Sequence, residues 1–253
     1  MRIAVISDVH SNLVAMQAVL QHASPFDEVW CLGDIVGYGP DPNQCIALLR
    51  RYRHSCVVGN HDWAAIGKLS VEDFNSDAEA AALWTRRQLS QDSLAYLEGL
   101  PTSLTIGDWT LVHGSPRSPV WEYVLSTEQA AVNFDHFSTR YCWIGHSHLP
   151  LIFVLEADAS VEGASGQGPG ARCRLIQPTA GSRWQLGEHR LIVNPGAVGQ
   201  PRDGVADASY VLYDADDRTL EFRRVSYDVG QTQERMRKAG LPTRLWARLS
   251  YGW

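Results

Sequence analysis

Short apolar runs that end on metal-capable side chains recur along this chain. Five such runs, among them IAVIS before Asp8 and VWCLG before Asp34, end within two residues on such a side chain. Apolar runs of this length, bounded by turn residues, are typical of buried strands. The residues concerned are Asp8, His10, Asp34, Asn60, His61, His113, His146 and His148. Because open α/β sheets carry their active sites at the carboxyl ends of strands, the pattern predicts a metal-centred enzyme.

The first sixty residues alternate strand and helix patterns. The predicted elements are strands at residues 3–7, 29–32 and 56–58 and helices at residues 13–22 and 43–52. The order βαβαβ favours a parallel sheet, because parallel neighbours need a crossover between them.

The second half is richer in strands. A helical pattern over residues 76–97 breaks near residues 90–92, and a further helix is predicted at residues 127–137. The predicted strands lie at residues 104–106, 110–112, 141–144, 151–155, 172–176, 190–193, 210–214 and 219–225, with Gly107-Asp108 as the first hairpin turn. A second sheet stacked on the first closes such a fold. We expect one domain over residues 1–253, with a helical tail over about residues 230–253.

Two segments leave alternatives open. Residues 157–171 are rich in glycine and other small residues, which favours a solvated hairpin tip over a flexible lid. The tail carries Trp246 and Trp253. These rings cover either the core or a contact between two copies of the chain, so a homo-oligomer remains an alternative.

Composition and charge limit the kinds of substrate and partner that the chain is expected to bind. The chain has 253 residues, of which 45% are apolar and 20% charged, as in ordinary globular proteins. Its formal charge of −6 argues against long nucleic acid, which is normally bound by a basic face, and favours small substrates. Arg50, Arg51 and Arg53 leave a local basic groove, and with it a nuclease, as an alternative.

The cysteines and the apolar runs indicate the cellular compartment in which the protein is expected. The five cysteines form no CxxC pair, which favours reduced thiols. The opening apolar run is too short for a signal peptide, and no run approaches the roughly 18 apolar residues of a membrane span. We therefore expect a cytoplasmic protein without a membrane partner.

The spacing within two of the endings suggests convergent side chains. Asp8 and His10 are two residues apart, as are His146 and His148, so on an extended chain each pair points to one side. With Asp34, these residues form a mixed nitrogen and oxygen set that suits Mn²⁺, Fe or Zn²⁺ better than Ca²⁺. Taken singly, Asp8 and His10 also fit a structural turn, and Asp34 a helix cap.

The ordered motifs DVH, GD, GNHD, HG and GHSH resemble those of the calcineurin-like metallophosphoesterase superfamily. GDIVGYGPDP and NPGAVGQPRDG are similar to its bacterial phosphodiesterase branch, which extends the likeness to about residue 204. The resemblance implies an α/β (α+β) fold, a four-layer αββα sandwich of two mixed β-sheets flanked by helices.

The resemblance also implies a site. Two divalent or trivalent ions (Mn, Fe, Zn or Ni, with Mn expected for activity) would share the bridging ligand Asp34. The first ion would be held by Asp8, His10 and His148, and the second by Asn60, His113 and His146. His61 would act on the phosphoryl group and the leaving oxygen while a metal-bridged hydroxide attacks.

One departure from the family pattern bears on the substrate. Many phosphatases of the superfamily read GDxxDRG, whereas this chain has Gly37 and Tyr38 at the second Asp and the Arg. A carboxylate partner for His61 is therefore not expected there, and the protein-phosphatase branch is disfavoured. Arg202 and Tyr38 are candidate substrate residues, with a surface ion pair and simple packing as their alternatives.

These observations predict a dinuclear metal-dependent phosphodiesterase acting on a small phosphoester or nucleotide. The alternatives are a phosphomonoesterase or protein phosphatase, a nuclease, and a non-catalytic interaction scaffold on the same fold. A scaffold predicts missing ligands, whereas this chain keeps the full set.

Overall fold

Twelve strands form two sheets in the computed structural model, which describes residues 1–156 and 172–253. The segment expected to be a hairpin tip, residues 157–171, lies outside the described residues. The strands are β1 Arg2–Ile6, β2 Glu28–Cys31, β3 His54–Cys56, β4 Ser103–Ile106, β5 Trp109–Val112, β6 Tyr141–Trp143, β7 Pro150–Glu156, β8 Arg172–Ile176, β9 Arg183–Gln185, β10 Arg190–Pro195, β11 Ala208–Asp214 and β12 Thr219–Val225.

Eight α-helices connect or flank these strands in the described residues. They are α1 Leu13–Ala23, α2 Pro42–Leu49, α3 Asn60–Ile66, α4 Ser76–Gln88, α5 Gln91–Glu98, α6 Thr127–Asn133, α7 Val229–Lys238 and α8 Thr243–Ala247. Short 3₁₀ turns follow α6 at Phe134–His136 and α8 at Arg248–Ser250. No helix in the described parts of the chain combines the length and apolar character needed to cross a membrane.

Each sheet contains three neighbouring parallel strands. The first sheet has the order β3-β2-β1-β11-β12-β9, in which β1, β2 and β3 are parallel. The second has the order β4-β5-β6-β10-β7-β8, in which β5, β6 and β10 are parallel. The remaining pairings are antiparallel. Both sheets are therefore mixed, as expected.

Three apolar layers separate the four layers of secondary structure. The middle one lies between the sheets, where Trp109 stacks on Trp143 with ring centroids 4.7 Å apart. A second layer joins the first sheet to α1 and α2 through residues such as Met16 and Ile46. A third joins the second sheet to α6 and the 3₁₀ turn after it through Ala130 and Phe134. The predicted αββα sandwich is thus confirmed, because each sheet buries one face on the other sheet and one on helices.

Some elements differ from the sequence-based prediction. The helix expected at residues 127–137 is α6 followed by a 3₁₀ turn, and the helix expected at 43–52 ends at Leu49. Helix α3 and strand β9 were not predicted. α3 begins within the GNHD motif, where the preceding apolar run indicated only a strand end. β9 is three residues long and partly exposed, too short to give a periodic signal.

Candidate metal centre

The backbone is left-handed at five of the eight candidate site residues. Among the described residues, eight non-glycine positions have positive φ, and seven of them lie in or directly beside the metal-ligand motifs. Those seven are Asp8, His10, Ser11, Asp34, Tyr38, His146 and His148. Such conformations cost free energy in L-residues and persist where the surrounding structure imposes them, most often at functional sites.

The left-handed backbone corrects one premise of the sequence analysis. His146 and His148 do not lie on an extended chain, because β6 ends at Trp143 and both have φ near +60°. The two imidazoles consequently enter different clusters, one with Asp34 and one with Asp8. Alternation is a property of strands, and these residues lie in the loop beyond the strand.

In each of two buried carboxylates, one oxygen accepts a hydrogen bond from the main chain and the other faces the site. Asp8 Oδ2 accepts the main-chain N–H of His146 at 3.1 Å, and Asp34 Oδ1 accepts that of His61 at 2.8 Å. The other oxygens, Asp8 Oδ1 and Asp34 Oδ2, are buried without a hydrogen-bond donor. Both carboxylates therefore direct one unpartnered oxygen toward the surrounding imidazoles.

The first cluster contains Asp8, His10 and His148. His148 Nε2 lies 3.1 Å from Asp8 Oδ1 and 3.1 Å from His10 Nε2. On its other side, Nδ1 of His148 donates to the main-chain carbonyl of Gln200 at 2.5 Å. That bond places the proton on Nδ1 and leaves the Nε2 lone pair for the cluster.

The second cluster contains Asp34, His113 and His146, with Asn60 alongside. His113 Nε2 lies 3.3 Å from Asp34 Oδ2 and 3.1 Å from Asn60 Oδ1. His146 Nε2 donates to the carbonyl of Trp121 at 3.0 Å, which leaves Nδ1 for the cluster. Asp34 Oδ2 is also 3.7 Å from His10 Nε2, so it lies between the two clusters.

Opposing charges dominate the electrostatics of the centre. Burial raises the pKa of Asp34, but His113 and neighbouring imidazoles outweigh burial and hold it well below its usual value. Burial lowers the pKa of His113, but Asp34 outweighs burial and raises it to about 10. Carboxylate ionisation is therefore maintained in a buried site, as cation binding requires.

The donor set fits divalent cations. Two unpartnered carboxylate oxygens, an amide oxygen and imidazole nitrogens with free lone pairs converge within a buried space. His10 Nε2 and His148 Nε2 face each other at 3.1 Å, where one proton at most can lie between them, so a shared cation satisfies both. Mixed oxygen and nitrogen ligands of this kind suit transition-metal ions.

His61 lies at the edge of both clusters. It forms a third group with His10 and Asp34, so distance alone does not separate it from the ligand candidates. Its Nδ1 is buried without a partner. Burial lowers the pKa of His61 to about 4. The free imidazole is consequently neutral near pH 7.

The backbone at Gly37 disfavours the carboxylate that many phosphatases have there. Gly37 has φ +99°, and a Cβ added to it would lie 3.0 Å from Cβ and Nδ1 of His61. Asp62 does not replace that carboxylate, because its oxygens accept the N–H groups of Val36 and Gly59. His61 has no carboxylate within ion-pair distance among the described residues.

Tyr38 and Arg202, the candidate substrate residues, both lie beside the centre. The Tyr38 ring centroid is 4.6 Å from that of His10 and 4.3 Å from that of His61. Arg202 forms no ion pair within the described parts of the chain, and Asp203, the acidic residue next to it in sequence, binds Arg224 instead. Burial lowers the pKa of His148, and the nearby charge of Arg202 lowers it further.

Asn194, part of the NPGAVGQPRDG motif, and two aromatic residues that were not identified from the sequence also lie at the centre. Asn194 Nδ2 donates to the carbonyl of Gly145 at 2.6 Å and to Ser147 Oγ at 3.0 Å, which fixes the loop that carries His146. Trp121 and Tyr123 have exposed rings, and the Tyr123 ring stacks on the His146 ring with the two centroids 3.8 Å apart.

Comparison with known proteins decides the family. The model of the calcineurin-like phosphoesterase superfamily domain matches residues 1–218. The chain belongs to the calcineurin-like phosphoesterase superfamily. This is a family of metal-dependent phosphoesterases that use two metal ions, and the sequence-based family assignment is confirmed.

Three relatives illustrate the likeness of this superfamily member. An uncharacterized protein of Methanocaldococcus jannaschii is 35% identical over 257 residues, which cover 99% of this chain and 98% of that protein. The crystal structure of a metallophosphoesterase from Sphaerobacter thermophilus has a TM-score of 0.86 and 46% identity, covering 100% of this chain and 99% of the other. A symmetrical bis(5'-nucleosyl)-tetraphosphatase of Pectobacterium carotovorum is 33% identical over 100 residues, which cover 33% of this chain and 36% of that enzyme.

Replacing Asp34 tests its position between the clusters. Asp34→Asn keeps the acceptor for the His61 N–H but removes the charge, so we expect affinity for both ions to fall by roughly a hundredfold or more. Metal analysis after dialysis and calorimetric titration with Mn²⁺ would measure this. Asp135→Asn, an exposed control, should bind normally. One ion bound with undiminished affinity in Asp34→Asn would show that this carboxylate serves a single site.

The raised pKa of His113 predicts pH-dependent metal binding. In the metal-free protein both ring nitrogens face acceptors, at 2.7 Å from the Leu32 carbonyl and 3.1 Å from Asn60 Oδ1, so the ring is protonated at pH 7. A metal ion at Nε2 displaces one proton. Affinity should therefore rise about tenfold per pH unit between roughly pH 7 and 8.5.

Calorimetry in buffers of different ionisation enthalpy would count the released proton. Affinity that is independent of pH over this interval would contradict the assignment of the proton to His113.

Proposed function

We propose that this protein is a dinuclear metal-dependent phosphodiesterase that hydrolyses small phosphodiesters. The position of Asp34 Oδ2, 3.3 Å from His113 Nε2 and 3.7 Å from His10 Nε2, carries the proposal. An unpartnered carboxylate oxygen between two imidazole clusters suits a ligand shared by two ions. Such a pair suits hydrolysis of a phosphoester, because two neighbouring cations can offset charge on the attacking and leaving oxygens.

The ligand roles follow the two clusters. In our proposal Asp8, His10 and His148 hold one ion, Asn60, His113 and His146 hold the other, and Asp34 bridges them. When bound, the ions supply Lewis-acid activation of water and of the phosphoryl oxygens. Mn²⁺ is our choice for activity, since a mixed imidazole and carboxylate set accepts this ion.

His61 is proposed to act on the phosphoryl group rather than as a ligand. Its main chain is held by Asp34 Oδ1, and its side chain lies against Gly37 and the Tyr38 ring. The neutral imidazole can donate one hydrogen bond to a phosphoryl oxygen. Negative charge on a bound ester raises the low pKa of the ring, which brings proton donation to the leaving oxygen within reach.

The absence of an arginine at position 38 favours a diester over a monoester as the substrate. A monoester carries an additional negative charge, and an Arg at position 38 would bind it, whereas this chain has Tyr38 there. Trp121 and Tyr123, each 42% exposed, present aromatic faces next to His146. Such faces suit stacking with a nucleobase, as in nucleotide-binding sites.

The proposed substrate class is therefore a small nucleotide ester. The partial likeness to a symmetrical bis(5'-nucleosyl)-tetraphosphatase supports this class. Long nucleic acid remains disfavoured, because Arg50 and Arg53 of the basic segment pair with Asp92 and Glu28.

We further propose a cytoplasmic location and one domain over residues 1–253. None of the five cysteines forms a disulfide, which fits a reducing compartment. Trp246 packs into the core formed with α7 and α8, whereas Trp253 is 67% exposed. A homo-oligomer stays a prediction, with Trp253 as the ring available to a second copy.

Model substrates test the reaction type. With Mn²⁺ added, we expect turnover of bis-p-nitrophenyl phosphate to exceed that of p-nitrophenyl phosphate, because Tyr38 stands where an Arg would pair with the additional charge of a monoester. Initial rates of p-nitrophenolate release would measure both. A clear preference for the monoester would contradict the diesterase assignment, and inactivity with every metal tried would contradict the enzyme assignment.

Replacing His61 tests its role. His61→Ala should lower kcat by about 10²- to 10⁴-fold, the usual contribution of a positioned acid–base group, while two ions remain bound. Steady-state kinetics and metal analysis would be run on the same sample. His136→Ala, which removes an exposed imidazole, is the matched control. Loss of an ion from His61→Ala would make His61 a ligand instead.

A further inference from the structure

Two arginine side chains meet beside the metal centre at Gln200. Arg202 Nη2 donates to Gln200 Oε1 at 3.4 Å, and Arg248 Nη2 donates to the same oxygen. The main-chain carbonyl of Gln200 accepts the bond from His148 Nδ1 described above. One residue thus connects both guanidinium groups to the first cluster.

The two guanidinium groups lack compensating negative charge. Neither has a carboxylate within ion-pair distance in the described parts of the chain. Nε of Arg202 and Nε of Arg248 are buried without a hydrogen-bond partner. Burial lowers the pKa of Arg248, and the charge of Arg202 lowers it further. Two partly buried cations that share one neutral acceptor repel each other, so an anion bound to both would stabilise the pair.

The pair lies close to the centre without being part of it. The guanidinium carbon of Arg248 is 4.9 Å from the centroid of the Tyr38 ring, and that ring contacts His10 and His61. Tyr38 therefore stands between Arg248 and the two imidazoles as a common neighbour. At this position the two arginines would contact a further group of the substrate and not the phosphorus under attack.

The fold brings the two arginines together from distant parts of the chain. Arg202 follows β10, whereas Arg248 begins the 3₁₀ turn after α8. Arg248 also lies beyond residue 218, where the match to the family domain ends. Leu245 and Leu249, its neighbours in sequence, are buried with Tyr38 in one apolar cluster, which fixes the position of Arg248.

We propose that Arg202 and Arg248 form a second anion subsite, which binds a phosphate of the substrate other than the one hydrolysed. Guanidinium groups suit this task, because their planar N–H donors pair with phosphate oxygens in bidentate fashion. The substrate class is then a nucleoside or dinucleoside polyphosphate. This inference rests on the proposed phosphoesterase function and adds the requirement for a second phosphate.

Kinetics with two substrates test the subsite. For Arg248→Gln and Arg202→Gln we expect KM for diadenosine tetraphosphate to rise about tenfold to a hundredfold, because each variant loses one charge-assisted interaction. In Arg248→Gln, KM for bis-p-nitrophenyl phosphate, which has one phosphorus, should change by less than about twofold. Arg244→Gln is the matched control, because it removes an exposed charge one helical turn away and should alter neither KM.

Direct binding gives a readout independent of turnover. Tripolyphosphate, titrated calorimetrically into the metal-free protein with chelator present, should bind at least about tenfold more weakly to Arg248→Gln than to wild type or Arg244→Gln. Arg248→Lys, which keeps the charge but loses the planar fork, should fall between them. Thermal melts of each variant would establish that it is folded.

Two results would overturn the subsite. Equal loss with both substrates would place the arginines on the scissile phosphate, and unchanged tripolyphosphate binding in both glutamine variants would give them a structural role only. Absence of hydrolysis by wild type with any ester would instead contradict the proposed phosphoesterase function. The tripolyphosphate titration would still decide the subsite in that case.

Discussion

The buried, half-satisfied carboxylates of Asp8 and Asp34 are the constraint on which the rest of this site depends. Each uses one oxygen to hold the main chain of another motif, so that Asp8 fixes the His146 loop and Asp34 fixes the start of α3. The second oxygen of each has no donor. Burying an ionised carboxylate is costly unless charge or hydrogen bonds compensate it. The surrounding imidazoles supply part of that compensation, and bound cations would supply the remainder.

The sandwich provides the rigidity that this arrangement needs. Seven left-handed residues cost of order 1 to 3 kcal/mol each, so the loops cannot hold their shape by themselves. They are tied to one another instead: His10 N–H donates to the Asp34 carbonyl at 2.9 Å, and Gly199 N–H to the Asp8 carbonyl at 2.9 Å. Close approach allows no side chain at Gly199, where a Cβ would lie 1.9 Å from the Val9 carbonyl oxygen. Packed strands on both sides keep these loops in register.

Much of the fold and the composition of the centre could be predicted from the sequence, because strand ends are local features. Apolar runs indicate the strands, and residues such as Asp34 follow them directly. The grouping of ligands was less accessible, since His146 and His148 separate through left-handed φ angles that depend on contacts between loops. Arg248 gave no signal at all, and Gln200 appeared only as one letter of the NPGAVGQPRDG motif. Their significance arises from a contact between residues 48 positions apart, which no local pattern encodes.

The contact between Arg248 and Gln200 also joins two parts of the chain that are held in different ways. The ligand candidates follow strands of the sandwich, where the backbone is fixed by two sheets. Arg248 instead lies beyond α8, on a segment that packs on Tyr38 through Leu245 and Leu249. The C-terminal segment therefore places a charged group beside the centre but supplies none of the grouped carboxylates or imidazoles. Gln200 links the two parts, because its main chain positions His148 while its side chain gathers the arginines. A substrate phosphate bound at Arg248 would thus be separated from the first cluster by one residue, Gln200.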